Sequence, residues 1–583
     1  MTRLKSNLGS LITVQDLLYK FVKEEVVQGS SWSADDIFTL LADLSEEFGP
    51  KNQELLQKRL VFQTQIDTYY REKRVSGWVP SPETLEQDAQ DLETFLLDIN
   101  YLKPETPINF QVDTPLLDPE MEQNGPELVT PVTNASMAVG GANARWVSLY
   151  DAYFLSDIHP EIDRESQRPD RLKMVVSETN TFLDEHVAQW ADGLTFSEIG
   201  RYSVSKDAQG IYQLQGHTPA GKLVFLQEPS KFVGFNQDDQ NALSEFFLVN
   251  NGLHLQFQLY PEGTVDPGNG QFKDLIAESA ITNIIDFEDS VSVIDVEDYV
   301  LGIRNFLGLI KGDLTGYGSR GNLKTISPDK TALDPQGNKT SFKGSSLMSV
   351  RNVSLHMYTG MVTVNGQEIP ERLLGVLLTT LIAHLHDKGS KERGPNSGKG
   401  YIYQVTPKLQ SAEEVAEQMR FFEGLEKHLG ISTGKLLIGI MNEEFGMKNK
   451  YRFEHGSFGE FKNFSAYEID RVCVETNTFS ENEYYKARLF YYFCTIFYFK
   501  RNFFYLRRYL TQLGLSTFEW IDFLFTNRND AEIDVREYFD KIDAMTRDEL
   551  FDSPQEIESY WSNSENRKKM RNGEFGFNIS IFL

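Results

Sequence analysis

The sequence predicts an α/β chain organised around a (β/α) barrel, and three stretches carry that prediction. Ile281–Ser290 (ITNIIDFEDS) places a short apolar run, Ile281, Ile284 and Ile285, directly before Asp286, Glu288 and Asp289. Ser345–Val350 (SSLMSV) ends in Arg351-Asn352, and Leu436–Met441 (LLIGIM) ends in Asn442-Glu443-Glu444. Between the last two lie an apolar helix candidate, Leu373–His384, and a strand candidate, Tyr401–Val405. Apolar strands separated by helices, each strand ending in charge, form the pattern of a barrel whose active-site groups collect at the C-terminal strand ends.

Taken alone, Ile281–Ser290 has two readings. Carboxylates are rarely buried unless paired or metal-bound, and Asp286 and Glu288 at i, i+2 of an extended chain project together. That suggests a cation or proton-transfer site. The same residues also suit a helix N-terminus capped by Ser290 or Asp289, with the acids favoured by the dipole. The companion strand ends favour the first reading, because Asp286, Glu288, Arg351 and Glu443 would then converge on one mouth. Carboxylates and an arginine around a hard cation suit Mg2+, which takes few protein ligands and leaves positions for substrate oxygens.

At 583 residues the chain is long enough for two to four domains, and its 40% hydrophobic and 24% charged content is that of a soluble globular protein. A net charge of −28 argues against nucleic acid, which needs a basic surface, but not against a small anionic substrate held by local cations. Cys473 and Cys494 are the two cysteines, in no metal-binding spacing. The N-terminus lacks an apolar signal core, and no apolar run approaches the ~18 residues of a membrane span, so a cytoplasmic protein with no membrane partner is expected.

Along the chain, residues 1–107 read as a helical region. Val14, Leu17, Leu18, Phe21 and Val22 follow a helical stripe, Ser33 could cap the next helix, and Ser81-Pro82-Glu83 could open a third through about Leu97. LVTPV is a strand candidate before the small-residue stretch NASMAVGGANARW. That stretch is either a close-packed loop or a backbone approaching a ligand, with Arg145 as an anion contact. Residues 155–275 read as an α/β or β-rich insertion. Lys222–Gln227 is one strand candidate in it, and Asn250-Asn251-Gly252 turns into the alternation Leu253, Leu255, Phe257, Leu259. His254 falls on the other face and is expected to be solvated. Gly316-Tyr317-Gly318-Ser319-Arg320-Gly321 matches G-x-G-x-x-G but lacks the strand before it and the helix after it, so a flexible loop is expected.

Five segments also resemble malate synthase of the G type: VTPVTNASMAVGGANARWVSLYDA, KFVGF with VNNGLHLQF, DFEDSVSVIDVEDYVLGIRNFLGLIKGDL, GSSLMSVRNV and IGIMNEE. They run in family order from about residue 10 to Glu444. The resemblance implies a TIM (β/α)8-type barrel with an N-terminal helical clasp (1–107), an α/β insertion and a helical C-terminal part. Barrel segments would be 108–154, 276–310 and 345–444, with the insertion at 155–275 and 311–344. It implies Mg2+-dependent condensation of acetyl-CoA with glyoxylate and hydrolysis to malate and CoA, in the glyoxylate cycle. By matching position, Arg351 would polarise the aldehyde and the enolate, and Glu443 would ligate Mg2+ and face glyoxylate. Asp286 and Glu288 would hold the metal's waters. Arg145, Trp146, Ser290 and Lys324 would contact acetyl-CoA. A monomer acting on these small molecules is expected.

Two departures qualify that implication. Ser354-Leu355-His356 stands where the family pattern reads Gly-His-Leu. After Glu444 the family's Arg-Arg-Thr-Ser stretch, its G-F-L-D segment with the second Mg2+ ligand, and its catalytic-base Asp do not appear. Residues 445–583 instead hold 20 of the 41 Phe, and 19 basic against 22 acidic residues, so the first 444 residues carry −25 of the −28. The tail reads as an aromatic-rich helical segment unrelated to the barrel. YEIDRVCVETNTFSENEYYKARLF resembles faintly the C-terminal helical part of radical SAM proteins. The barrel is therefore expected to be incomplete, a malate synthase front joined to a tail of other origin, with impaired activity. Two alternatives stay open: a non-catalytic protein that binds CoA or glyoxylate, and a malyl-CoA lyase-like barrel enzyme.

Overall fold

The computed structural model describes residues 1–571 apart from 8, 80–83, 104–115, 124, 157, 160–161, 164–165, 262–271, 319–320, 442–447, 461–464, 476–479, 500–502 and 514. It divides into two compact units, Met1–Met441 and Asn442–Leu583.

The centre of the first unit is a parallel sheet of five strands. These are β1 (Glu127–Pro131), β2 (Thr282–Asp286), β3 (Leu347–Arg351), β4 (Ile402–Pro407) and β5 (Leu436–Met441). Their spatial order follows the chain order, as in a barrel built by successive βα units. Every residue of β2 and β3 is buried, which is what helices on one face and a filled interior on the other require. Register follows from the pairing: Asp286 stands opposite Pro131 on one side and Arg351 on the other, and Arg351 opposite Val405.

Four helices connect these strands: α1 (Ala135–Asn143), α2 (Val296–Lys311), α3 (Glu371–His386) and α4 (Ala412–Leu429). Asp295 caps α2 and Ser411 caps α4, each accepting from a backbone N–H three residues on, and Gly312 and Gly430 end them in the left-handed region. Leu373, Leu374, Leu377, Leu378 and Leu381 of α3 join Ile303 and Phe306 of α2 in the main apolar core.

Three sequence expectations change here. The Gly-Ala stretch is not a loop but α1, capped by Asn134 accepting from Met137 N at 3.1 Å. Alanine favours helix, and Gly141 permits close approach to the sheet: a Cβ there would lie 2.4 Å from Thr130 Oγ1 and 2.7 Å from Asn283 Nδ2. The G-x-G-x-x-G stretch opens with a strand, Thr315–Tyr317, paired antiparallel to Leu323–Thr325. Gly316 is pressed on the start of α1, where a Cβ would meet Ser136 Cα at 2.6 Å. At the N-terminus, Val14 belongs to a strand, Leu11–Val14, not to the helix that follows at Asp16–Phe21. Ile12 and Val14 are fully buried while Leu11 is exposed, a period of two that overrides the helical stripe. This strand lies between Thr2–Lys5 and Tyr358–Val364 in a four-stranded antiparallel sheet.

The rest of the N-terminal region is helical. Ser33 caps the 42-residue helix Ala34–Val75 in a reciprocal capping box with Asp36. The expected opening at Ser81-Pro82-Glu83 lies outside the described residues; a helix runs from Leu85 to Asp98. The inserted chain forms a seven-stranded antiparallel sheet. Two of its strands, Lys330–Leu333 and Lys339–Phe342, come from beyond α2, and its edge strand Trp146–Ser148 comes from just after α1. Its core is aromatic, with Phe246 stacked on Phe257 at 4.4 Å.

In the second unit, helices Glu481–Cys494, Thr517–Thr526 and Ile533–Asp548 contribute to an apolar cluster around Phe493 and Phe539. The tail is not helical throughout: Lys448–Glu460 and Ser465–Glu475 form an antiparallel hairpin. YEIDRVCVE is therefore strand, its β-branched Ile469, Val472 and Val474 fitting the pleat, and the likeness to a helical segment fails there. Both cysteines are free thiols. Among the described residues no helix is long and apolar enough to cross a membrane.

Gly141→Ala is expected to lower stability by about 1–3 kcal/mol through overpacking against Thr130 and Asn283. Gly140→Ala, whose Cβ would meet only the Lys324 ammonium at 4.0 Å, is expected to be neutral or stabilising. Melting temperatures of the two variants check this.

Candidate active site

The C-terminal ends of β2, β3 and β4 bring one charged cluster together. Asp286, the last residue of β2, is wholly buried. Its Oδ1 accepts from Arg351 Nε at 2.7 Å and from Glu288 N at 2.9 Å. Its Oδ2 accepts from Arg351 Nη2 at 2.7 Å, Ser290 N at 2.8 Å and Ser290 Oγ at 2.6 Å. The helix-cap reading of this stretch is thus half right in chemistry and wrong in place. Asp286 caps the turn that follows its own strand, and α2 begins only at Val296, capped by Asp295. Burial pushes the Asp286 carboxyl up, but the Arg351, Ser290 and backbone donors outweigh it and hold it at about 2. Hydrogen bonding to Asp286 in turn raises the Arg351 guanidinium against the opposing effect of burial.

Around this pair lie three further groups. Glu288 and Asp289 both accept from Lys408 Nζ, at 2.8 and 2.7 Å. Asp289 is also 3.7 Å from Arg351 Nη1. Glu288 Oε2 is buried with no hydrogen-bond partner among the described residues. Glu371, at the start of α3, has its carboxyl pushed up to about 7, first by burial and then by the negative charge of Glu288.

Lys408 and Glu371 were not singled out from the sequence. Lys408 carried a usable signal, since it ends the strand Ile402–Pro407 in charge just as Arg351 ends Leu347–Arg351. It has φ +58°, a left-handed conformation uncommon for a residue with a side chain. A brace from the long N-terminal helix meets it there. Arg59 donates to the Lys408 carbonyl at 3.0 Å and to both oxygens of buried Glu414 at 2.7 Å.

The residues expected to meet acetyl-CoA each have partners of their own. Arg145 is buried, with Nε donating to Glu278 at 2.7 Å and Nη1 to Glu120 at 2.8 Å. His254, expected in solvent, belongs to this same cluster: its Nδ1 lies 2.6 Å from Glu278 Oε2, because buried Glu278 ends the neighbouring strand Phe272–Glu278. Trp146 donates from Nε1 to the Lys343 carbonyl at 2.6 Å and carries the Lys330 ammonium 4.9 Å above its ring. Ser290 spends its hydroxyl on Asp286. Lys324, on the hairpin over α1, has no ion pair among the described residues. Glu443 lies outside the described residues.

Comparison with known proteins agrees with this geometry. Residues 347–452 match the malate synthase TIM barrel domain. The chain is 35% identical over 445 residues to malate synthase G of Halalkalibacterium halodurans, covering 74% of this chain and 58% of that protein. It is 34% identical over 445 residues to malate synthase G of Corynebacterium glutamicum, covering 74% of this chain and 57% of that protein. For malate synthase G of Corynebacterium efficiens the identity is 33% over 442 residues, covering 74% of this chain and 56% of that protein. A parallel sheet with a charged C-terminal rim and these matches define a barrel chain of the malate synthase type. Within that class its matched three quarters are related to the G form. The chain spans less than three fifths of the length of these relatives.

Two substitutions test the cluster. Asp286→Asn leaves the buried guanidinium without its counter-charge and is expected to cost about 3–5 kcal/mol in denaturant unfolding. In the unaltered protein the contribution of Asp286 is fully present above its ordinary value of 3.8 and is lost as pH falls through about 2. Glu371 works in the opposite sense: its raised carboxyl makes the fold lose stability as pH rises from about 4.5 to about 7. Glu371→Gln is therefore expected to gain roughly 2 kcal/mol over the parent at pH 8 and little at pH 4, measured by unfolding at the two pH values.

Proposed function

We propose that the barrel binds glyoxylate and acetyl-CoA and carries out a malate synthase reaction, a Claisen-type condensation followed by thioester hydrolysis to malate and CoA. The observation that carries this reading is the bidentate Arg351–Asp286 pair on adjacent strand ends, beside the unpartnered Glu288 oxygen. A guanidinium clamped along one edge offers positive charge in a fixed place to the aldehyde oxygen of glyoxylate, and to the oxyanion formed when acetyl-CoA enolises. The new C–C bond joins the acetyl methyl carbon to the aldehyde carbon, and the aldehyde oxygen takes up a proton. Water then cleaves the C–S bond and releases the CoA thiol.

Mg2+ suits the donors. Asp286 is spent on hydrogen bonds, Glu288 Oε2 is an orphaned buried carboxylate oxygen, and Mg2+ is content with few protein oxygens and several waters. The likeness to malate synthase G assigns the direct ligand to Glu443 and the holding of the metal's waters to Asp286 and Glu288; with both Asp286 oxygens already bonded, that second role falls to Glu288 while Asp286 orients Arg351. When bound, the ion polarises the glyoxylate oxygens. Lys324 and Ser290 would face the CoA, while Arg145 and Trp146 would hold the backbone around it through Glu278, Glu120 and the Lys343 carbonyl. The protein would work as a cytoplasmic monomer.

The residue that accepts the methyl proton is unassigned, and Lys448–Glu460 and Ser465–Glu475 pair as antiparallel strands at the place in the chain where a further βα unit would carry the family's later groups. That favours a second reading, binding without turnover. Glyoxylate-dependent thiol release from acetyl-CoA, with and without Mg2+, separates the two. Mg2+-dependent release that falls at least 100-fold in Arg351→Ala supports the enzyme. CoA binding with no release supports the second reading, and cleavage of malyl-CoA without hydrolysis points to a lyase instead.

A further inference from the structure

We infer a second ligand site for a small polyanion, bearing phosphate or carboxylate groups, in a cavity at the far ends of α3 and α4. The cavity has a volume of about 640 Å³ and is lined by His384, His386, Lys388, Lys427, His428 and Trp32, among others. That volume suits a small-molecule ligand. It gathers three of the nine histidines of the chain. No Asp or Glu lines it, in a chain that carries 85 acidic against 57 basic residues.

The lysines here are uncommitted. Neither Lys388 nor Lys427 has a carboxylate within ion-pair distance among the described residues, nor does neighbouring Lys311. Elsewhere Lys51, Lys73, Lys408 and Lys450 are each held by two carboxylates. Burial first, and the charge of Lys388 second, disfavour protonation of His384; at His386 burial again leads, the Val26 carbonyl opposes it, and Lys311 and Lys388 outnumber the one opposing acid, Asp313. His386 is held in place by the Val26 carbonyl 2.7 Å from its Nε2. Glu426, the nearest acid on α4 by sequence, is spent on the backbone N–H groups of Gly434 and Leu436.

The ordinary explanation for cations here is the helix dipole, since α3 and α4 both end at the cavity. It accounts for one favourable charge per helix end. It does not account for an open, acid-free cavity whose exposed lysines have no carboxylate partner among the described residues amid a strongly negative protein, a place that focuses field toward anions. The site is separate from the barrel mouth, because α3 runs its whole length of roughly 24 Å between Glu371 and His386.

The test is calorimetric titration of the full chain with pyrophosphate and, separately, citrate at low salt, in parent, Lys388→Ala/Lys427→Ala and Arg351→Ala proteins. Saturable binding of either probe that weakens at least tenfold in the double-lysine variant and persists in Arg351→Ala supports the site. The probe that binds identifies the anionic group. An unchanged melting temperature of the double variant excludes misfolding, and a Lys388→Arg/Lys427→Arg variant should restore binding if charge is what matters. Absence of saturation with both probes, or binding lost in Arg351→Ala and kept in the double-lysine variant, overturns the inference.

Discussion

The structure depends on one buried ion pair fixed by strand register. Because β2 and β3 run parallel with Asp286 opposite Arg351, the last residue of each strand faces the other across the sheet. Burying both charges is costly, and Coulomb attraction alone does not reliably repay the cost. Asp286 makes the arrangement tenable by accepting five hydrogen bonds, two from Arg351 and three from the turn that follows its own strand. The pair therefore does more than bridge two strands. It sets the path of residues 287–290, and through that path it places Glu288 and Asp289 on the rim.

From the rim the constraint passes outward to the N-terminal helix. Glu288 and Asp289 hold Lys408, Lys408 adopts a left-handed backbone, and Arg59 ties that backbone to the first turn of α4 through Glu414. The long helix Ala34–Val75 is thus coupled to the charged rim through Arg59. A clasp that braces the loop after β4 gives a physical reason for a 42-residue helix whose outer end exposes Leu60, Val61 and Val75. Its contacts with the barrel run from the core residues of its first half to Arg59, just past its middle.

Much of this was legible in the sequence because parallel strands buried on both faces leave continuous apolar runs, and charge at their ends stands out against them. Asp286, Glu288 and Arg351 were found that way. Lys408 follows the same grammar but sits after Thr406-Pro407, where proline looks like the end of a strand rather than part of one. Glu371 was invisible because its environment is set by burial and by Glu288, partners far away in sequence. α1 was misjudged because two glycines in a short stretch suggest a loop, whereas here Gly141 serves the contact with Thr130 and Asn283. Val14 was misjudged because one apolar residue can satisfy both a period of two and a period of 3.6 at an element boundary. The pairing of Arg145 with Glu120, Glu278 and, through Glu278, His254 joins residues from three separate stretches, which no local pattern encodes.

The same accounting separates the two ends of α3. At its start, Glu371 faces a carboxylate-rich rim and is driven toward neutrality. At its end, His384 and His386 are disfavoured as cations, first by burial and then by neighbouring lysines. One helix therefore spans an acid-crowded end and a base-crowded end, each short of opposite charge. At the mouth Arg351 and Lys408 partly relieve the excess, leaving the buried Glu288 oxygen open to a cation. At the far end no acid lines the cavity, and the imbalance is open to an anion. Bound ions of opposite sign at the two ends would each relieve a local excess that the protein leaves uncompensated, with the α3 helix between them as the shared rigid element.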